Sequence, residues 1–141
     1  MKSLLFIGGT GFLGQSFFDY INKDKINKLK LSKIIIVSRK KKLVNSKIKV
    51  SYIRKSISKI KLIPYVDYII YAANSDNNLE NLKGINTFIN LINEKHKKTK
   101  ILFTSSGAVY GPRKLKKKMI ESEKINYNKV SKFSGYKKEY A

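Results

Sequence analysis

Three glycines near the amino terminus, Gly8, Gly11 and Gly14, have a spacing suited to binding a phosphate group. They follow an apolar segment at residues 2–7 and precede apolar residues at helical spacing in residues 12–21. In a strand–turn–helix unit, the first glycine permits a tight turn and the second lets backbone approach a pyrophosphate. The third lets helix and strand pack closely, and the helix N-terminus adds unpaired N–H groups and positive potential. The sequence therefore predicts a dinucleotide-binding turn, with a purely structural turn as the alternative.

The residues after the second apolar segment bear on which dinucleotide would be favoured. The sequence Val37-Ser38-Arg39-Lys40 has no carboxylate, which is the group that usually contacts the adenosine ribose of NAD. Ser38 can hydrogen-bond a 2′-phosphate, and Arg39 can pair with it bidentately. We therefore expect NADP to be favoured over NAD, with Arg39 as one more cation of a basic chain as the alternative.

These residues would be held by an alternation of apolar strands and amphipathic helices. Strands are predicted at residues 2–7, 33–37, 47–53, 67–73 and 101–104. Helical spacing predicts two helices, with buried faces made of Phe12, Leu13, Phe17, Phe18 and Ile21 and of Leu82, Ile85, Ile89 and Ile92. Such a pattern is typical of a parallel sheet covered on both faces. The predicted fold class is α/β, a doubly wound parallel sheet (Rossmann fold).

Two further segments are not assigned to a strand or to one of the two helices. Residues 38–46 are too few for one, so a single turn or a loop is expected there. Residues 114–132 are rich in lysine and weakly patterned, which is typical of a surface excursion.

Three segments resemble one enzyme family when they are taken together and in order. They are IGGTGFLG at residues 7–14, DYIIYAAN at residues 67–74 and FTSSGAVYG at residues 103–111. They are similar to motifs of the extended short-chain dehydrogenases/reductases, the NAD(P)-dependent epimerases and dehydratases. The resemblance covers essentially the whole chain but only the N-terminal part of such an enzyme. We therefore expect one NAD(P)-binding Rossmann domain at residues 1–141, truncated after the fifth strand, with the C-terminal substrate-binding part absent.

The resemblance also implies which residues bind the cofactor. They are Gly8, Thr10, Gly11, Phe12, Leu13, Gly14, Ser38, Arg39, Ala72, Ala73 and Asn81. Asn86 is an alternative to Asn81 as the asparagine of the helix after the fourth strand. The family usually has an aspartate near the adenine after the third strand, and Ser56 would have to replace it here.

The same resemblance implies catalysis by a tyrosine, a lysine four residues later, and a serine after the fifth strand. A nearby cation lowers the pKa of a tyrosine, which is near 10 when unperturbed, so that it can act as a base. Ser106 matches the serine, with Ser105 as its alternative. Tyr140 is the candidate tyrosine, and its lysine would fall beyond residue 141. The alternative for Tyr140 is a helix residue that packs on the sheet.

Other tyrosines fit the motif less well. Tyr127 and Tyr136 have no lysine four residues later. Tyr110 has Lys114 at that distance, but Gly111-Pro112 would interrupt a helix between them.

The function implied by the resemblance is that of an oxidoreductase acting on a nucleotide-activated sugar. Hydride would pass between a sugar carbon and the nicotinamide, and epimerisation or dehydration would follow. The alternative is a non-catalytic dinucleotide-binding module or a truncated fragment. A homodimer is compatible with a full-length form.

The charge of the chain bears on other partners. The 31 Lys and Arg against 9 Asp and Glu give a net charge of +22, which raises nucleic acid as a partner. The lysines are spread over nearly every loop, however, and this favours compositional drift over a nucleic-acid surface. No apolar run approaches the roughly 18–20 residues that span a bilayer, so we expect no membrane partner and a cytoplasmic location.

A metal site is not predicted. The chain has no cysteine, so thiolate ligands are excluded. Its single histidine, His96, lies among lysines at a predicted helix end, where we expect a solvated side chain.

Overall fold

A computed structural model describes residues 1–23, 29–40 and 42–105. The chain divides into two compact units, Met1–Thr104 and Ser105–Ala141, and Ser105 is the described residue of the second. The first unit contains β1 (Lys2–Ile7), α1 (Phe12–Asn22), β2 (Leu31–Val37), β3 (Lys49–Ile53), β4 (Tyr68–Tyr71), α2 (Asn78–Leu91) and β5 (Lys100–Phe103). Short 3-10 helices lie at Ile57–Lys59 and Glu94–His96.

The five strands form one parallel sheet in the order β3-β2-β1-β4-β5. The prediction of a doubly wound sheet is thereby confirmed. All five predicted strands are present, although β3 and β4 are shorter than predicted and β2 begins earlier, at Leu31. The strand order reverses between β1 and β4, which opens a crevice at their carboxyl ends.

Helices cover opposite faces of this sheet because successive strand residues point to opposite sides. Leu4 and Phe6 of β1 belong to a core cluster with Phe18 and Ile21 of α1. On the other face, the ring of Tyr71 in β4 lies 5.0 Å from the ring of Phe88 in α2. The core therefore has two layers, and the sheet separates α1 from α2.

The predicted buried face of α1 is partly wrong. Phe18 and Ile21 are buried, whereas Phe12 is 83% exposed and Leu13 is 49% exposed. Both residues line a cavity at the carboxyl edge of the sheet. The first turn of α1 faces this cavity, so its apolar side chains are not covered by strands.

The predicted face of α2 is also displaced. Ile85 is buried as expected, but Leu82 and Ile89 are exposed. The buried residues of the helix are Asn81, Gly84, Ile85 and Phe88. Gly84 belongs to this face because a Cβ there would lie 2.7 Å from the Cγ2 of Ile57, so the 3-10 helix at Ile57–Lys59 packs directly against the α2 backbone.

The connections give a mixed result. In residues 38–46, all residues except Lys41 are described, and these contain no helix, as expected. Residues 114–132 lie outside the described residues. His96 was expected to be solvated, and this is wrong, since the side chain is only 4% exposed. The short 3-10 helix turns its ring inward, where Nδ1 lies 3.0 Å from the Oδ1 of Asn93.

Among the described residues, neither α1 nor α2 has the length and apolar character that crossing a bilayer requires.

Candidate functional site

A cavity of about 380 Å³ lies at the carboxyl ends of β1, β2 and β4. Its volume is within the range of small-molecule and cofactor sites, and its position is the crevice where open parallel sheets bind ligands. The predicted cofactor residues that line it are Gly8, Thr10, Gly11, Phe12, Leu13, Ser38, Arg39, Ala72, Ala73 and Asn81. The remaining one, Gly14, packs against Gly9 and does not line the cavity.

The glycine turn is held against its surroundings at distances that exclude a side chain. Gly8 has a φ of +85°, and a Cβ there would lie 2.7 Å from the carbonyl oxygen of Ala72. A Cβ on Gly14 would overlap the backbone of Gly9. The packing of the turn therefore requires glycine at positions 8 and 14.

Gly11 is in a different position. A Cβ there would meet only the carbonyl oxygen of Gly8, at 3.2 Å. Gly11 is the N-cap of α1, without a side-chain cap, and the first turn of the helix contains no acidic residue. The N–H groups of this turn therefore carry positive potential without a competing carboxylate, which suits the phosphates of a dinucleotide.

At the end of β2, the two predicted phosphate-binding residues differ. Ser38 is buried, its Oγ lies 2.5 Å from the Oγ1 of Thr10, and it accepts the N–H of Lys40 at 3.1 Å. The Ser38 hydroxyl thus fastens the glycine turn to the end of β2. Arg39 is exposed and lines the cavity, as does the neighbouring Lys40.

The loop that carries Arg39 is supported by a second arginine, which sequence reasoning missed. Arg54 donates to the carbonyl oxygen of Lys40 at 2.5 Å, and its guanidinium lies 4.0 Å from the centre of the Tyr52 ring. Arg54 follows β3, and its contact with the neighbouring loop could be found only once the order of the strands was known.

At the end of β4, Ala72 and Ala73 line the cavity with small side chains. Asn81 accepts the N–H of Ser75 at 2.8 Å and donates to the carbonyl oxygen of Ser75 at 2.7 Å. It therefore shapes the loop after β4 from the buried side of α2. Asn86, the alternative, is exposed and does not line the cavity.

A carboxylate that sequence reasoning also missed lies at the cavity wall. Glu80, in the first turn of α2, accepts hydrogen bonds from Ser56 at 2.5 Å and from Ser58 at 2.8 Å. These two hydroxyls, and then the positive charges of Arg39 and Lys59, lower the pKa of Glu80. Glu80 is adjacent to Asn81 in sequence, but no local pattern signals that it meets the loop after β3.

The predicted catalytic residues, Ser106 and Tyr140, lie outside the described residues. Ser105, the alternative serine, is the last residue described and is exposed. Within residues 1–23, 29–40 and 42–105, no group of His, Asp and Glu side chains is arranged to hold a metal ion.

A doubly wound parallel sheet with a glycine turn at its crevice defines a Rossmann domain of the dinucleotide-binding type. The sequence model of the NAD dependent epimerase/dehydratase family matches residues 4–139. The chain belongs to this family. Among curated proteins, no significant match to the sequence is found.

Solved structures show the same fold. A Streptococcus pneumoniae protein described as a candidate NADH-flavin reductase is 14% identical, with a TM-score of 0.62 over 99% of this chain and 64% of that one. MoeE5, in complex with UDP-glucuronic acid and NAD, is 14% identical, with a TM-score of 0.53 over 79% of this chain and 39% of its own. A UDP-galactose 4-epimerase is 19% identical, with a TM-score of 0.52 over 77% and 39%, respectively. The chain therefore spans less than two thirds of the length of each.

The two kinds of glycine predict different responses to an added methyl group. Gly14→Ala should lower the free energy of unfolding by about 3 kcal/mol, at the upper end of typical overpacking, because the neighbouring atoms are backbone. The matched variant Gly11→Ala should stay within about 1 kcal/mol of wild type, because its backbone is extended and its Cβ would meet one carbonyl oxygen at 3.2 Å, without the overlap found at Gly14. Urea unfolding followed by circular dichroism measures both. Equal losses would contradict the packing role of Gly14.

Proposed function

We propose that this cavity binds NADP or NAD, and that the chain is the cofactor-binding part of an epimerase/dehydratase-type oxidoreductase acting on a nucleotide-activated sugar. The observation that carries the proposal is the glycine turn. Two of its glycines, Gly8 and Gly11, line the crevice between β1 and β4 without a side chain, beside the N-terminus of α1. A pyrophosphate would be held there by N–H groups and helix potential.

We favour NADP over NAD because of the charges at the end of β2. Arg39 and Lys40 line the cavity, and residues 37–40 contain no carboxylate to repel a 2′-phosphate. Arg39 supplies a planar pair of donors for such a phosphate. Ser38 contributes indirectly, because its hydroxyl already joins Thr10 and the N–H of Lys40.

For the chemistry, we propose Ser106 and Tyr140 as the residues that act on the substrate. A bound nicotinamide would supply the hydride acceptor. The Ser106 hydroxyl would hold the substrate oxygen, and Tyr140 would exchange its proton. Membership of the NAD dependent epimerase/dehydratase family supports this assignment, and the titles of two structural neighbours name UDP-linked sugars.

The cofactor preference is tested by replacing Arg39. In Arg39→Ala, a lost charge-assisted contact should weaken NADPH binding about ten- to a hundredfold and leave NADH binding nearly unchanged. Lys33→Ala is the matched control, because it removes one positive charge from the opposite end of β2. Binding is followed by the fluorescence of the reduced nicotinamide. If NADPH and NADH weaken alike in Arg39→Ala, Arg39 acts only through the general positive field.

The proposed reaction is tested with the protein expressed from its natural gene. Incubation with NADP or NAD and a panel of nucleotide sugars, followed by mass spectrometry, should show epimerised or dehydrated product from at least one sugar. Ser106→Ala and Tyr140→Phe should each lower the rate about 10²–10⁴-fold with little change in dinucleotide affinity. Tyr65→Phe, at an exposed tyrosine outside the cavity, is the control. Dinucleotide binding without any conversion would support a non-catalytic binding module instead.

A further inference from the structure

We propose that Glu80 recognises the adenine base by accepting a hydrogen bond from its exocyclic amino group. The inference rests on the proposed dinucleotide site and adds a specificity-determining residue to it. Glu80 belongs to α2, so it reaches the cavity from a different element than Ser56, which the family resemblance implied would have to replace the usual aspartate near the adenine.

The position of Glu80 follows from the order of the strands. The glycine turn after β1 would hold the pyrophosphate, and the residues after β2 would contact the adenosine ribose. The base then lies further along the same edge of the sheet, towards β3. The loop after β3 contributes Lys55 and Ser56 to the cavity wall, and Glu80 lines the cavity beside them. The base end of the cavity is therefore where this carboxylate lies.

The hydrogen bonds of Glu80 leave one oxygen available. Ser56 and Ser58 both donate to Oε1. Among the described residues, Oε2 accepts no hydrogen bond. The two serines therefore fix the orientation of the carboxylate, while Oε2 retains its capacity to accept.

The charge state of Glu80 suits this role. The serine hydroxyls and the nearby Arg39 lower its pKa, so the side chain is an acceptor without a proton to donate at neutral pH. Ser56 is already committed as a donor to this carboxylate. The Glu80 carboxylate, which can only accept, therefore selects for a donor on the ligand.

Adenine is the base that matches such an acceptor. Its 6-amino group donates hydrogen bonds, and carboxylates accept from the exocyclic amino groups of bases. Hypoxanthine carries a 6-oxo group, another acceptor, at the same position and would be repelled. The carboxylate thus distinguishes 6-amino from 6-oxo purines.

A purely structural role makes a different prediction. Glu80 also ties the first turn of α2 to the 3-10 helix after β3 through the two serines. Loss of these hydrogen bonds would weaken the binding of all dinucleotides by the same factor. The ratio of the affinities for two purines therefore distinguishes base recognition from this structural role.

The experiment compares NADPH and NADH with their hypoxanthine analogues, using the fluorescence of the reduced nicotinamide. Wild type should bind the adenine forms about tenfold more tightly than the hypoxanthine forms, as expected for one hydrogen bond to a charged acceptor. In Glu80→Gln the ratio should fall towards one, because the amide can also donate to a 6-oxo group. A ratio does not depend on the fraction of folded protein, so a loss of stability does not obscure the result.

Two control variants complete the test. Glu94→Gln removes the same charge from an exposed residue that pairs with Lys97 and should keep the wild-type ratio. Ser58→Ala removes one hydrogen bond to Glu80 but retains the carboxylate, so the adenine-to-hypoxanthine affinity ratio should also stay at the wild-type value. An equal affinity for both purines in wild type, or a ratio unchanged in Glu80→Gln, would overturn the role of Glu80 while leaving the dinucleotide site intact. If none of the dinucleotides binds wild type, the proposed function and this inference fail together.

Discussion

The close approach of the glycine turn to its neighbouring backbone is the constraint on which the site depends. Gly8 packs against the end of β4, and Gly14 packs against Gly9 so tightly that neither position can carry a side chain. These contacts join β1, β4 and α1 at the crevice of the sheet. Thr10, Gly11 and Phe12 then line the cavity at this crevice. The tight packing therefore fixes the backbone of the turn at the place where open parallel sheets bind ligands.

The cavity around this turn is lined by both positive and negative side chains, although the chain as a whole is strongly basic. The chain has a net charge of +22, yet one wall presents the carboxylate of Glu80, oriented by two serine hydroxyls. Arg39 lines the same cavity and is close enough to stabilise the charged form of Glu80. The cavity wall therefore carries both signs of charge, and the negative charge has a fixed orientation.

Local patterns were sufficient to predict the architecture. The five apolar strands and the strand–turn–helix unit at Gly8, Gly11 and Gly14 are each contained in a short stretch, and so a single sequence revealed them. The faces of the helices were less predictable. Phe12 is exposed because α1 begins beyond the sheet, which depends on where β1 ends in space.

The contacts that define the site in detail join residues far apart in sequence. Ser38 was predicted to bind phosphate, but its hydroxyl bonds with Thr10, 28 residues away. Glu80 bonds with Ser56 across 24 residues. Such pairs follow from the strand order and from the packing of α2 on the loop after β3. Neither is contained in the spacing of a motif, which is why the sequence indicated the glycine turn but not the contact between Glu80 and Ser56.

The most direct test of the central claim is a titration of isotope-labelled protein with NADP, followed by backbone amide NMR. A dinucleotide held by the glycine turn should produce saturable shifts at Thr10, Gly11 and Ala72 that persist in moderate salt, and Gly11→Val should abolish them by filling the space of the pyrophosphate. Binding through general positive charge should weaken steeply with salt. Shifts that are scattered over lysine-bearing loops, disappear in salt and are unaffected by Gly11→Val would contradict the account.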